Sequence, residues 1–134
     1  MPSLAVTDTH ALIWAASGQT KRLGPNARRM FERVDQGRAV LYVPSIVLVE
    51  VGEAVHRGRV RFARGFAAWV DTLLSSGRYH AVDLTVPIVF RAQQFFAIPE
   101  RGDRLVAATA AELDCPLLTC DPEIRTVAGI DVIW

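Results

Sequence analysis

The stretch that most constrains this chain is Leu4-Ala5-Val6-Thr7-Asp8, a short apolar strand that runs into a single acid. Three apolar residues are too few for a helix and read as a buried strand. The next segment, Thr9 to Ala16, carries Leu12, Ile13, Trp14 and Ala15 and reads as a helix. Asp8 is therefore expected at a strand's carboxyl end, facing the crevice where open α/β sheets bind ligands.

The same alternation continues along the chain. A helix is expected from Gly24-Pro25-Asn26 to Gly37, with Pro25 in its first turn and Ala27, Met30, Phe31 and Val34 on one face. Ala39 to Val43 is a second strand, stopped by Pro44. Ser45 to His56 has strand-like composition, but Ser45 is a good N-cap and Gly58 a good C-cap. It reads as a helix, apolar nearly all round and so buried. Arg57 to Arg64 is a basic connection, followed by a helix from about Phe62 to Leu74. Tyr79 to Leu84 is a third strand, and Thr85 caps a helix running to about Phe96.

Pro99 to Gly102 reads as a loop ending at Asp103, with an alanine-rich helix from Arg104 to Leu113. Leu117 to Cys120 is a fourth strand, Asp121-Pro122 starts a short helical turn, and Asp131 to Trp134 is a last strand. Strands alternating with helices imply an α/β three-layer sandwich, a central parallel sheet of about five strands covered on both faces. With 134 residues and no linker or repeat, one domain over residues 1–134 is expected.

Composition excludes little. The chain is 51% hydrophobic and 22% charged, with a net charge of +1, so bulk electrostatics announce no nucleic-acid partner. No apolar run is long enough to span a bilayer and no leader precedes the first strand, so a cytoplasmic location is expected. Cys115 and Cys120 have neither metal-ligand spacing nor a nearby histidine and read as reduced thiols. His10, His56 and His80 lack metal spacing as well. The Phe and Trp residues fall at helical spacing and read as core.

The acids carry the chemistry. Asp8, Asp103 and Asp121 could each simply cap or favour a helix start. Glu50 has no such role, because it lies in the middle of the apolar helix. There it would lose hydration worth several kcal/mol unless a cationic partner compensates. Glu53 has Arg57 four residues on and reads as a surface pair. Parallel topology brings Asp8, Glu50, Asp103 and Asp121 to one sheet edge. A fold keeps four mutually repelling carboxylates only where cations neutralise them. All-oxygen sites suit Mg²⁺ or Mn²⁺, and such ions support in-line attack on a phosphodiester.

At these residues the chain resembles the PIN-domain ribonucleases, and most closely the VapC-type toxins of bacterial toxin–antitoxin operons. The resemblance lies in Thr7-Asp8-Thr9-His10-Ala11-Leu12-Ile13-Trp14, in Ser45 and Glu50, in Gly102 to Ala110, and in Leu117-Leu118-Thr119-Cys120-Asp121. It spans nearly the whole chain, in the family's order and spacing. It implies a metal-dependent endoribonuclease in which Asp8, Glu50, Asp103 and Asp121 form the acidic site, with Thr119 as a polar neighbour. Many members carry an aspartate three residues before the one matching Asp103, where this chain has Glu100, and Glu100 is assigned a subsidiary role. The resemblance further implies an RNA substrate, an antitoxin that blocks the acidic groove, and a homodimer.

Arg57, Arg59, Arg61 and Arg64 are candidates for holding RNA phosphates. A haloacid-dehalogenase-type phosphatase would want a second aspartate where His10 stands, and a receiver domain would want a late lysine, whereas Lys21 is the only lysine. The rival reading is a PIN-like module that binds RNA or protein and cuts nothing.

Overall fold

The computed structural model describes residues 1–134. Five parallel strands form one sheet: β1 (Leu4–Thr7), β2 (Val40–Pro44), β3 (Tyr79–Val82), β4 (Leu117–Leu118) and β5 (Val132–Ile133), in the order β3-β2-β1-β4-β5. Seven helices flank it: α1 (Thr9–Ala16), α2 (Pro25–Asp35), α3 (Ser45–His56), α4 (Phe66–Ser75), α5 (Val86–Ala92), α6 (Arg101–Leu113) and α7 (Pro122–Arg125). This is the α/β sandwich expected from the alternation of elements.

The strand order locates the site. The chain leaves β1 toward β2 and β3 on one side, then returns to lay β4 and β5 on the other. Between β1 and β4 the direction of winding reverses, which opens a crevice beyond the carboxyl ends of these two strands. Val6 pairs with Leu117 and Thr7 with Leu118, and the Asp8 backbone N–H donates to the Leu118 carbonyl at 3.1 Å. Asp8 thus leaves β1 at the reversal, and Asp121 follows three residues after Leu118.

The central strands are buried on both faces, as parallel sheets require. Ala5, Val6, Leu41, Val43, Leu117 and Leu118 are inaccessible to solvent and belong to one cluster of 25 buried apolar residues. Helix α2 adds Ala27, Met30, Phe31 and Val34, at the spacing that marked it in the sequence. Gly24 precedes it for a steric reason: a Cβ there would lie 2.5 Å from the backbone of Trp134, which folds back against this turn.

Several boundaries differ from expectation. Helix α4 starts at Phe66, not near Phe62, because Gly65 turns the chain with φ at 89°. Phe62 instead stacks on Trp69, with ring centroids 4.3 Å apart. Pro44, not Ser45, holds the cap position of α3, and Ser45 Oγ donates to the Val82 carbonyl at 2.9 Å. The hydroxyl ties α3 to β3 instead of closing its own helix. Strand β3 ends at Val82, β4 at Leu118, and β5 covers only Val132 and Ile133. Thr85 caps α5 as expected, but that helix tightens into a 3₁₀ turn over Gln93–Phe95.

Two burial expectations fail. Helix α3 is not buried all round: Val47 and Val51 are fully covered, whereas Val49 is 52% exposed. Its apolar composition serves one packed face and one open face. Nor are all aromatics core, since Phe90 is 68% and Phe96 62% exposed. Helix α5 buries Ile88 and Ala92 and turns Val86, Val89 and Phe90 outward. No helix is long and apolar enough to cross a membrane, and both cysteines are free thiols.

Candidate active site

A crevice of about 410 Å³ opens at the β1–β4 reversal, and Asp8, Glu50, Glu100 and Asp103 line it. Asp121 stands beside them, within electrostatic reach of Asp8 and Asp103. The structure therefore brings the four expected acids to one edge, together with Glu100.

The capping and functional readings of these acids prove compatible. Asp8 caps α1, its Oδ1 accepting from the Ala11 N–H at 2.8 Å. Asp121 caps α7, its Oδ1 accepting from the Glu123 N–H at 2.9 Å. In each case the cap holds one carboxylate oxygen and orients the other. Thr119 is fully buried between them. Its Oγ1 accepts from the Asp121 N–H at 3.1 Å, and its hydroxyl also supports the Asp8 carboxylate.

Glu50 is half-buried. Thr9 Oγ1 donates to Glu50 Oε1 at 2.6 Å. The other oxygen, Oε2, lies over Gly102 in the first turn of α6, so close that a Cβ there would stand 2.6 Å from it. The first turn of a helix carries partial positive charge, which favours a carboxylate. A hydroxyl and a helix terminus together orient the carboxylate toward the crevice.

Helix α6 begins at Arg101, three residues earlier than expected, with Glu100 extended in the cap position. Pro99 precedes it, and the Arg104 guanidinium donates to the Ile98 and Pro99 carbonyls, which closes this corner. Asp103 is thus in the first helical turn instead of a loop. Glu100 is exposed but faces the crevice.

The electrostatics record the crowding. Asp103 is pushed up to about 7, first by burial, then by the adjacent Asp121 carboxyl and by the Glu100 and Glu50 charges. Asp8 is also raised, chiefly by burial, although the hydrogen bonds from Thr119 and Ala11 and the nearby His10 pull the other way. The Cys120 thiol is raised by burial and by the Asp8 and Asp121 charges. Carboxylates this crowded hold protons or bind a cation.

The donor set suits a hard divalent ion. All candidate ligands are carboxylate oxygens, the chemistry of Mg²⁺ or Mn²⁺. No three acidic side chains close into a ready cage. Asp8 lies within electrostatic reach of Asp121, and Asp103 within reach of Asp121, Glu100 and Glu50. Mg²⁺ typically keeps several waters, so carboxylates that do not close into a cage can still hold it.

Of the four candidate arginines, Arg57 and Arg59 line the crevice, whereas Arg61 and Arg64 do not. Glu53 pairs with Arg57 at 3.7 Å, as the four-residue spacing indicated. Sequence reasoning gave no roles to Thr9, Gly102, Trp14, Gln19 and Arg22, all of which lie in or against the crevice. Thr9 and Gly102 sit beside expected acids, but only the fold shows that both meet Glu50.

An open parallel sheet with a carboxylate cluster at its reversal point defines the class, an α/β protein with an acidic crevice at its strand ends. The chain belongs to the PIN-domain family, whose model matches residues 5–130. Solved structures share the fold. A chain of the VapBC2 complex from Rickettsia felis, bound to a promoter DNA fragment, superposes with a TM-score of 0.72 at 16% identity, covering 96% of each chain. A chain of the DNA-bound VapBC complex from Salmonella typhimurium gives 0.68 at 19% identity, covering 98% of this chain and 97% of its own. A chain of FitAcB from Neisseria gonorrhoeae gives 0.61 at 15% identity, covering 96% and 95%. No curated protein sequence matches.

Proposed function

We propose that this PIN domain is a Mg²⁺- or Mn²⁺-dependent endoribonuclease and the VapC-type toxin of a toxin–antitoxin pair, acting in the cytoplasm. The observation that carries the reading is the meeting of Asp8, Glu50, Asp103 and Asp121 at the sheet's reversal point. A module that only bound RNA would gain nothing from such a cluster, since carboxylates repel phosphates.

Asp8, Asp103 and Asp121 would hold the cation, with Glu50 beside them. Bound there, the ion would polarise a phosphodiester and lower the cost of charge on the leaving oxygen. The chain's own groups do the positioning. Thr9 fixes Glu50 by one oxygen, and the caps on Asp8 and Asp121 fix theirs. Water attacks phosphorus in line, the P–O3′ bond breaks, and the products carry a 3′-hydroxyl and a 5′-phosphate. Arg57 and Arg59 flank the acids and suit neighbouring phosphates.

The antitoxin partner is supported by a solved neighbour described as a toxin–antitoxin complex from Klebsiella pneumoniae. A segment that shuts an anionic crevice would present a basic residue, most suitably arginine. For a homodimer, we assign the contact to α5. Val86, Val89 and Phe90 form an outward apolar stripe, and the adjacent Arg91 is neutralised by Glu112 at 2.9 Å. An apolar stripe without free charge is self-complementary, as a two-fold contact needs. Exposed Leu84 extends the stripe. Light scattering should show a dimer that Phe90→Asp converts to monomer.

Incubation of the purified chain with single-stranded RNA tests the central activity. Cleavage that needs Mg²⁺ or Mn²⁺ and leaves 5′-phosphate ends is expected. Cleavage undiminished in excess EDTA overturns the metal mechanism. RNA binding without cleavage under any metal favours the non-catalytic module.

A further inference from the structure

One wall of the crevice is aromatic and cationic, and the acids do not explain it. The Trp14 ring lies six residues after Asp8 on α1 and is half-buried. The Arg22 guanidinium sits over it, 4.4 Å from the ring centroid. His10 packs on Trp14 at 5.6 Å, and Trp134 meets its edge at 6.0 Å. His10, Trp14, Gln19 and Arg22 line the same crevice as Asp8, Glu50 and Asp103.

A scaffold at the end of α1 holds this stack. Ser17 Oγ donates to the Ile13 carbonyl, Gln19 Nε2 donates to Ser17 Oγ at 2.7 Å, and the Gln19 N–H donates to the Trp14 carbonyl at 2.8 Å. Gln19 Oε1 in turn accepts from Arg22 Nη1 at 3.3 Å. The only ion pairs in the protein are Arg57–Glu53 and Arg91–Glu112, so no carboxylate neutralises Arg22. A cation–π contact at an exposed site contributes only about 0.5–1 kcal/mol. That is little reason to hold a free guanidinium flat on an indole within reach of an acidic site.

We infer that Trp14 and the Arg22 stacked on it form a subsite for one unpaired base of the RNA next to the scissile phosphate. This inference rests on the ribonuclease reading given above. An indole and a guanidinium plane are the surfaces on which proteins stack splayed-out bases. Arg22 lines the same crevice as Arg57 and Arg59, so it adds positive charge for the RNA backbone beside the acids. Stacking recognises a π-face instead of a hydrogen-bonding edge, so the subsite selects single strands over duplex and tolerates any base.

The test is fluorescence anisotropy of a labelled single-stranded oligoribonucleotide with the full chain in EDTA, where binding is read without cleavage. Trp14→Ala should weaken Kd about tenfold or more, Trp14→Phe should recover most of that loss, and Arg22→Gln should weaken binding and flatten its salt dependence. Duplex RNA should bind wild type and Trp14→Ala alike. Replacing nucleotides one at a time by abasic units should find one position where Trp14→Ala costs nothing further. That coupling would not arise from a merely structural tryptophan, and in the wild-type chain the abasic scan reads the subsite even if Trp14→Ala misfolds. Wild-type affinity in a folded Trp14→Ala, no coupled position, or no RNA binding by the wild type overturns the subsite. Binding with the coupling but no cleavage in Mn²⁺ sinks the ribonuclease reading and leaves the subsite standing. Cleavage with unaltered binding by the variants sinks the subsite alone.

Discussion

The Thr9 hydroxyl donates to Glu50 Oε1 at 2.6 Å, across 41 residues of chain. Thr9 is the first residue of α1 and Glu50 lies midway along α3, so the bond joins the two helices at the mouth of the crevice. It fixes the rotamer of an acid whose other oxygen rests on the first turn of α6. Partners of this kind, which orient a ligand without touching the ion, typically account for about 10- to 100-fold in metal affinity or activity. Thr9→Val, which keeps the shape and removes the donor, should lower the cleavage rate about tenfold while Thr9→Ser stays near wild type. Equal rates for Thr9→Val and wild type would remove the hydroxyl from the account.

Gly102 supplies a complementary test. Replacing a helical glycine with alanine ordinarily stabilises a protein by about 0.4–1 kcal/mol. Here the new Cβ would stand 2.6 Å from Glu50 Oε2 and push the carboxylate off the helix end. Gly102→Ala should therefore keep or raise Tm while weakening Mn²⁺ binding in calorimetry. Unchanged metal affinity would mean that Glu50 takes no part in holding the ion.

The crowding at Asp103 gives the metal-free protein a pH dependence of known sign. Its folded-state pKa is about 7, raised above the ordinary 3.8. Between these values the folded chain keeps a proton that the unfolded chain has lost, so stability falls as pH rises. Below about pH 4 both forms are protonated and this effect vanishes. Thermal melts in EDTA should show Tm declining from pH 5 to 7.5, less steeply in Asp103→Asn. A wild-type Tm that climbs through this window would contradict the crowding.

Glu100 adds its charge to Asp103 from an exposed cap position. Glutamate reaches farther than aspartate but loses more rotamer freedom when fixed, which suits a contact through water. With Glu100→Gln, high Mn²⁺ should restore a near-normal rate, whereas Asp103→Asn should stay impaired. Equal loss in both at saturating metal would make Glu100 a direct ligand.

Much of this was legible in the residues. Pro44 stops β2 and Gly37 closes α2, and a three-residue apolar strand ending in Asp8 can do little but feed a crevice. Asp103 and Asp121 were visible because helix starts and strand ends follow from local chemistry. What stayed hidden depends on contacts between distant segments. The apolar run of α3 does not tell which of Val47, Val49 and Val51 meets the core. Phe90 has a core residue's chemistry but faces outward, because Ile88 and Ala92 already fill the contact with α6. Glu50 stood out in the sequence, but its contacts with Thr9 and the start of α6 come from segments far apart in the chain. Arg22 and Trp14 gave no signal, since only the turn through Gln19 brings one over the other.

The most direct test of the central claim, that four carboxylates at one sheet edge make this PIN domain a metal-dependent ribonuclease, is the cleavage rate of Asp8→Asn at saturating Mn²⁺, measured with its melting temperature. Asparagine keeps the shape of the α1 cap and its bond from the Ala11 N–H, and removes the charge a cation requires. The account predicts a rate lowered by about a hundredfold or more in a protein whose Tm is unchanged or higher, one repelling charge having gone. An Asp8→Asn chain that cuts RNA at the wild-type rate would contradict it, and would leave Asp8 as a helix cap alone.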